Sequence, residues 1–247
     1  MPAKRWLKRL VRLLKKTVLE LGGSDAYLVL EDADLEKAAE ICVNSRLINN
    51  GQSCIAAKRF IAVKSVEKEF TRLFLEKMQA KKVGDAMDKD TDVGPMARKD
   101  LRDELHQQVE QSIAKGAKCI LGGKIPKGNN AFYLPTILIN VKKGMPAHDE
   151  ELFGPVAAII SAKDEADAIL IANESSFGLG GAVFTKDKKR GEHIAATQLQ
   201  AGSCFVNASV KSDPRLPFGG VKESGYGREL GLFGIYEFVN IKTVFIA

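Results

Sequence analysis

Short apolar runs alternate with segments of helical periodicity along most of this chain. Two parallel neighbouring strands need a crossover connection, which a helix usually supplies. The predicted strands are Thr17–Leu21, Tyr27–Leu30, Lys58–Val63, Cys119–Leu121, Tyr133–Asn140, Val156–Ser161, Ala182–Phe184 and Cys204–Asn207. The predicted helices are Leu35–Leu47, Val66–Lys81, Asp100–Lys115, Glu165–Ala172 and Lys188–Thr197, the first with Asp34 as its N-cap. This order predicts an α/β fold with a mainly parallel sheet flanked by helices.

Positive charge is concentrated in residues 1–16, which hold seven lysines and arginines and no acid. The whole chain has 37 basic and 31 acidic residues, so residues 17–247 are close to neutral. A near-neutral body argues against a broad phosphate-binding face, and we expect no nucleic-acid partner. Because no apolar run reaches about 18 residues, we expect no membrane partner either.

The basic N-terminal segment has the periodicity of an amphipathic helix, with apolar side chains at Trp6, Leu7, Leu10 and Leu14. One interpretation is a helix that binds a membrane surface or a partner. The other is a surface helix whose apolar stripe packs on the rest of the chain. The pattern leaves both open.

The cysteines and histidines are scattered, without the short spacings of a zinc site. We therefore expect no metal and no disulfide framework. Free thiols in a chain of this size indicate a reducing compartment, the cytoplasm.

Two residues carry the chemistry of a nucleophile and a base. Cys54 follows a glycine-containing turn, where nearby N–H groups lower a thiol pKa and stabilise an oxyanion. A small buried residue fits the same pattern. Glu20 ends an apolar run before two glycines, and burial of a carboxyl raises its pKa toward that of a general base. A glutamate of an edge strand that points to water is the competing interpretation, and the pattern by itself favours it.

Two further segments indicate ligand contacts. Glu151 and Phe153 precede a Gly-Pro turn and a strand, where a carboxylate can accept hydrogen bonds from ribose hydroxyls and a ring can pack on a heterocycle. A capping acid and a core phenylalanine are equally compatible. The glycine-rich loop 217–229 matches neither phosphate-binding motif, so a structural or substrate-lining loop is favoured.

These segments together resemble the aldehyde dehydrogenase superfamily, and most closely the bacterial NAD(P)-dependent succinate-semialdehyde dehydrogenases. The motifs occur in family order: LELGG at 19–23, NNGQSC at 49–54, GPMAR at 94–98, EELFGPV at 150–156, FGLGGAVFT at 177–185 and PFGGVKESGYGRE at 217–229. The resemblance implies that Cys54 attacks an aldehyde and that Glu20 activates water against the resulting thioester. It also implies NAD or NADP as cofactor, held by Glu151 and Phe153, with Phe218 at the substrate entrance.

The resemblance further implies a small-molecule aldehyde as substrate, such as succinate semialdehyde. Its carboxylate needs an anchor, for which Arg46 and Ser212 are candidates, together with Ser209 and Arg215. Some family members carry a basic residue six positions before the nucleophile, where this chain has Ile48, so the substrate stays open.

The domain division that follows is a basic segment unlike the family at 1–16, a catalytic domain at 17–236 and an oligomerisation strand at 237–247. The last strand extends a neighbouring subunit's sheet in the family, so we expect a homo-oligomer. The cofactor-binding half of the family is missing, so we expect these 247 residues alone to bind NAD(P) weakly and to have little dehydrogenase activity. The alternative is a catalytically silent fragment that acts as an assembly or interaction module.

Overall fold

A computed structural model describes residues 2–128 and 130–247, and its strands and helices alternate as the sequence predicts. The strands are β1 Leu19–Glu20, β2 Ala26–Val29, β3 Arg59–Val63, β4 Lys118–Leu121, β5 Thr136–Ile139, β6 Val156–Ala162, β7 Phe177–Gly178, β8 Gly180–Phe184, β9 Ser203–Val206, β10 Val221–Lys222 and β11 Gly225–Tyr226. The helices are α1 Pro2–Arg12, α2 Leu35–Leu47, α3 Lys64–Gln79, α4 Lys99–Ala114, α5 Pro146–Asp149, α6 Glu165–Asn173, α7 Lys188–His193 and α8 Gly231–Glu237. A 3₁₀ turn covers Ile48–Gly51, and a π-helical turn covers Ile194–Gln198.

Seven strands form one sheet in the order β4-β5-β6-β3-β2-β8-β9. All neighbours run parallel except β4 and β5 at one edge, which run antiparallel. The prediction of a mainly parallel sheet flanked by helices is therefore confirmed. Two short antiparallel pairs, β1 with β11 and β7 with β10, lie outside this sheet.

Side chains of the central strands alternate between two apolar layers. In β2, Leu28 packs into one layer and Tyr27 and Val29 into the other. The layer around Leu28 is completed by α4 and α6, whereas α2 and α3 cover the opposite face. Helices on both faces exclude water from both sides of the sheet, which explains why every residue of β2 and β3 is buried.

Helix α2 has the predicted bounds, and the Asp34 side chain caps it by accepting the backbone N–H of Lys37 at 3.2 Å. The predicted basic helix also forms, as α1, although the Trp6 side chain lies outside the described residues. None of the helices described is both long and apolar enough to span a bilayer.

The predicted C-terminal strand at 237–247 needs a neighbouring subunit's sheet and stays a prediction. Residues 239–247 follow α8 without regular secondary structure, and the apolar side chains of Phe238, Ile241, Phe245 and Ile246 are exposed. A strand forms only when its backbone groups pair with another edge, and no such pairing is formed by this segment within the described chain.

Candidate active site

The predicted site residues lie at the amino ends of neighbouring strands. Cys54 precedes β3, Glu151 precedes β6, and Glu20 precedes β2. Because β6, β3 and β2 are adjacent and parallel, the segments that enter them meet at one edge of the sheet. The topology thus brings together residues that are far apart in the chain.

The turn before Cys54 is held in a left-handed conformation. Asn49, Asn50 and Gly51 have φ values of 49°, 57° and 75°, a region that favours asparagine and glycine. The Asn50 amide donates to the Pro95 carbonyl at 3.2 Å and accepts the Gly94 N–H at 2.9 Å. The GPMAR motif therefore fixes the NNGQSC turn through side-chain hydrogen bonds.

Arg46 lies beneath this turn with no exposed surface. Its Nη2 donates to the Gly51 carbonyl at 2.7 Å, while Nε and Nη1 are buried without a hydrogen-bond partner among the described residues. Burial lowers the pKa of Arg46 to about 9, and the charge of Glu151 acts in the opposite sense. Arg46 thus supports the turn from below, and its assignment as a substrate anchor stays a prediction.

The Gly22–Gly23 pair is the point where the three segments touch. The Gly23 N–H donates to Glu151 Oε1 at 2.9 Å. A Cβ on Gly23 would lie 2.7 Å from the Cys54 carbonyl oxygen, and one on Gly22 would lie 2.5 Å from Glu151 Oε2. A side chain at Gly23 would collide with the Cys54 backbone, whereas at Gly22 it would meet the end of the flexible Glu151 side chain.

Glu20 is partly buried beside the glycine-rich loop. Its backbone pairs with Gly225 in the β1–β11 ladder, and its Oε1 atom is buried without a hydrogen-bond partner among the described residues. Burial, followed by the charge of Glu229, raises the pKa of the Glu20 carboxyl, while the Gly220 backbone and Arg228 act in the opposite sense. A raised pKa and an unpartnered oxygen are the properties of a general base.

The charge of this carboxyl is one of several that act on the pKa of the Cys54 thiol. Burial raises the pKa of Cys54, and the charge of Glu20 acts in the same direction. Lys58 and the backbone N–H of Ile55 act in the opposite direction. The backbone of the Cys54 turn lies against Gly23, three residues after Glu20, and the pairing of Cys54 and Glu20 as nucleophile and base stays a prediction.

Glu151 and Phe153 border the same site. Glu151 Oε1 accepts the Gly23 N–H and lies 3.3 Å from Lys58 Nζ, so both contacts use one carboxylate oxygen. The Phe153 ring is 39% exposed, and its centroid lies 5.9 Å from Lys58 Nζ. The assignment of Glu151 and Phe153 to the nicotinamide ribose stays a prediction.

The glycine-rich loop fixes the Glu20 segment. Ser224 Oγ donates to the Gly22 carbonyl at 2.7 Å and accepts the Gly178 N–H at 3.0 Å. Phe218 is 8% exposed and pairs through its backbone with Glu229, whose charge acts on Glu20. Ser212 is exposed in the loop that follows β9. The assignment of Phe218 and Ser212 to substrate binding stays a prediction.

Sequence reasoning missed three buried charged residues next to this site. Asp25, Lys58 and Arg59 are 2%, 0% and 1% exposed. Arg59 donates to the carbonyls of Ser24 and Ala172 at 3.1 and 2.9 Å. The available signal was the Lys-Arg pair inside an apolar run that leads into a central strand.

Asp25 gives a pH-dependent contribution to stability that can be measured. Burial raises its pKa to about 6, against the opposing effects of Lys58, the Gly180 N–H and Arg59. The folded chain therefore holds a proton on Asp25 between the unfolded pKa, near 4, and about 6, and loses stability as pH rises through this range. We expect the free energy of unfolding of the parent, minus that of Asp25→Asn, to fall by about 2 kcal/mol between pH 4 and 7. Urea unfolding of both proteins measures this difference, and a difference independent of pH would contradict the assignment.

Comparison with known proteins identifies the family. The aldehyde dehydrogenase family model matches residues 3–244. The chain belongs to the aldehyde dehydrogenase family. This match begins at residue 3, inside the basic segment 1–16 that the sequence analysis separates from the family. The division at residue 16 stays a prediction.

The most similar relatives include succinate-semialdehyde dehydrogenases. The chain is 52% identical over 231 residues to the NAD(P)+ succinate semialdehyde dehydrogenase Sad of Escherichia coli K12, covering 94% of this chain and 50% of that protein. It is 49% identical to a probable NADP+ succinate-semialdehyde dehydrogenase of Synechocystis, covering 95% of this chain and 51% of that protein. The chain thus spans about half the length of these curated relatives.

Solved aldehyde dehydrogenases share the fold. Succinic semialdehyde dehydrogenase of Streptococcus pyogenes, in complex with NADP+, superposes with a TM-score of 0.94 at 37% identity, over 97% of this chain and 52% of that one. An aldehyde dehydrogenase of Mycobacterium tuberculosis, complexed with NAD+, gives a TM-score of 0.92 at 37% identity, over 96% of this chain and 49% of that one. These structural relatives bind one or the other nicotinamide cofactor.

Proposed function

We propose that this chain carries the thiol and carboxylate chemistry of an NAD(P)-dependent oxidation of a small semialdehyde to its carboxylic acid. The observation that carries the proposal is the close approach of the Glu20 segment, at Gly23, to the backbone of Cys54 and to the carboxylate of Glu151. Succinate semialdehyde is the proposed substrate, because relatives at about half identity are named for it.

Cys54 supplies the nucleophile. Its thiolate attacks the aldehyde carbon, and the carbonyl oxygen becomes the oxyanion of a thiohemiacetal. The backbone N–H of Cys54 is the proposed hydrogen-bond donor to this oxyanion, because it belongs to the same residue as the attacking sulfur. Nicotinamide nucleotide, when bound, supplies a hydride acceptor that takes both electrons of the C–H bond.

Glu20 supplies the base for the second half of the reaction. Its carboxylate takes a proton from water, whose oxygen attacks the thioester carbon, and the thiolate of Cys54 leaves. Glu151 and Phe153 are the proposed contacts of the nicotinamide ribose. Phe218 is proposed for the substrate entrance, with Arg46 and Ser212 as substrate contacts.

Protection of Cys54 against alkylation tests the substrate class without a cofactor. An aldehyde that adds to the thiol removes it from reaction with iodoacetamide, so we expect succinate semialdehyde to slow alkylation of Cys54. Butanal has the same chain length and no carboxylate, and we expect it to protect at about tenfold higher concentration, since a single charged contact contributes 1–2 kcal/mol or more. Mass spectrometry of each cysteine measures the rates, with Cys119 as the internal control. Equal protection by both aldehydes would contradict the proposal of succinate semialdehyde as substrate. No protection by either aldehyde would contradict the assignment of Cys54 as the nucleophile.

We also propose association with further copies of this chain through α8 and residues 238–247. Support comes from the exposed apolar side chains of this segment, which include Leu232, Phe233, Phe238 and Phe245. Exposed apolar surface of this extent is typical of an interface. All four cysteines are free thiols, which supports a reducing compartment, the cytoplasm, as the place of action.

A further inference from the structure

Lys58 is a fully buried lysine between the nucleophile turn and the proposed cofactor carboxylate. Its Nζ atom donates to the carbonyls of Ser53 and Cys54 at 3.0 and 2.8 Å. The same atom lies 3.3 Å from Glu151 Oε1. The three N–H bonds of one ammonium group therefore meet acceptors from two segments that are far apart in sequence.

Three acceptors around Lys58 Nζ require the ammonium form, because only that form has three N–H bonds to donate. A buried ammonium group is costly unless every N–H is paired, and here the two carbonyls and the carboxylate supply the partners. The Lys58 side chain thereby links the backbone of Cys54 to the carboxylate of Glu151. Removal of Lys58 would leave the Cys54 carbonyl and Glu151 without this shared partner.

The surrounding charges keep Lys58 protonated at neutral pH. Burial lowers its pKa to about 8, and the charge of Arg46 acts in the same direction. Glu151 and Asp25 act in the opposite direction and stabilise the ammonium form. Burial, Glu20 and Asp25 raise the pKa of the Cys54 thiol. The positive charge of Lys58 acts in the opposite direction.

We propose that Lys58 is a positioning residue that fastens the nucleophile turn to Glu151 and supplies a positive charge beside the Cys54 thiolate. This inference rests on the proposed function of Cys54. It assigns a role in the reaction to a residue that contacts the backbone of the nucleophile rather than the substrate.

The test is the pH profile of Cys54 alkylation in variants of the full chain. Lys58→Gln keeps two N–H donors and removes the charge, and Lys58→Met is a second neutral variant in case the first does not fold. Lys58→Arg keeps the charge, and Lys64→Gln removes an exposed lysine just after β3 as the matched control. Circular dichroism selects the variants with a native spectrum, and mass spectrometry measures the rate at Cys54 between pH 6 and 10.

The neutral variants are expected to move the midpoint of the profile up by about one pH unit, because loss of a nearby opposite charge has an effect of this size. At pH 7.5 this corresponds to alkylation about tenfold slower than in the parent. Lys58→Arg and Lys64→Gln are expected to keep the parent midpoint.

A neutral variant with the parent midpoint would overturn the role of Lys58 while leaving the proposed function intact. An equal shift of the midpoint in Lys58→Arg and Lys58→Gln would also overturn the role of Lys58. A loosened Cys54 turn, rather than the lost charge, would then explain the shift in both variants. If Cys54 of the parent reacts no faster than Cys119, the proposed function fails first, and the role of Lys58 fails with it.

Discussion

Cys54→Ala is expected to abolish the cofactor-independent hydrolysis of p-nitrophenyl acetate. In the parent, the Cys54 thiolate attacks the acetyl carbon and p-nitrophenolate leaves, so an acetyl thioester forms without any nicotinamide nucleotide. Alanine has no nucleophile, and the rate should fall about 100-fold or more, to the rate of the ester in buffer. Release of p-nitrophenolate, followed by its absorbance, measures the effect.

Cys119→Ala is the matched control for this substitution. Cys119 is also a partly buried free thiol, but it lies on the edge strand β4, where its Sγ donates to the Leu121 carbonyl at 3.1 Å. Its removal should leave the turnover unchanged. Equal rates in the parent and in Cys54→Ala would show that no thiol nucleophile acts at this site, and the silent-fragment alternative would then be favoured.

The order of elements could be predicted from the sequence because local patterns determine it. The helix Leu35–Leu47 has an N-cap, a regular apolar spacing and a following Asn-Gly turn, and the structure has the same bounds. Local patterns do not determine structure where the partner of a segment is distant or lies on another chain. The segment after Phe238 has the composition of a strand and forms none within the single chain, so its predicted pairing with a neighbouring subunit stays a prediction.

The site was predictable only in part for the same reason. Cys54, Glu20 and Glu151 stand in motifs, so their chemistry could be proposed from the sequence. The burial of Lys58 and Asp25 could not, because charged residues are exposed unless a specific partner compensates the cost of burial. Lys58 has two backbone carbonyls and Glu151 as partners, and Asp25 accepts the Gly180 N–H; Glu151 and Gly180 are distant in sequence, and only the strand order brings them close.

Glu20→Gln is expected to separate the two halves of the same reaction. Glutamine has the shape of glutamate but cannot take a proton from water, so attack on p-nitrophenyl acetate by Cys54 should persist while hydrolysis of the thioester slows. General bases contribute 10²–10⁴-fold, and we expect the steady-state rate to fall within that range. The acetylated enzyme should accumulate, and mass spectrometry should find one acetyl group on Cys54.

The pH profile distinguishes this role from a structural one. Because burial and Glu229 raise the pKa of Glu20, the parent should lose thioester hydrolysis as pH falls through a value above the ordinary 4.5 of a glutamate. Protonation removes the base, so the loss occurs on the acidic side, and Glu20→Gln should lack that limb altogether. Glu223→Gln, which removes a carboxylate from the same glycine-rich loop, serves as the control. A variant at Glu20 that keeps the acidic limb, or that slows attack by Cys54 as much as hydrolysis, would show that another group activates the water.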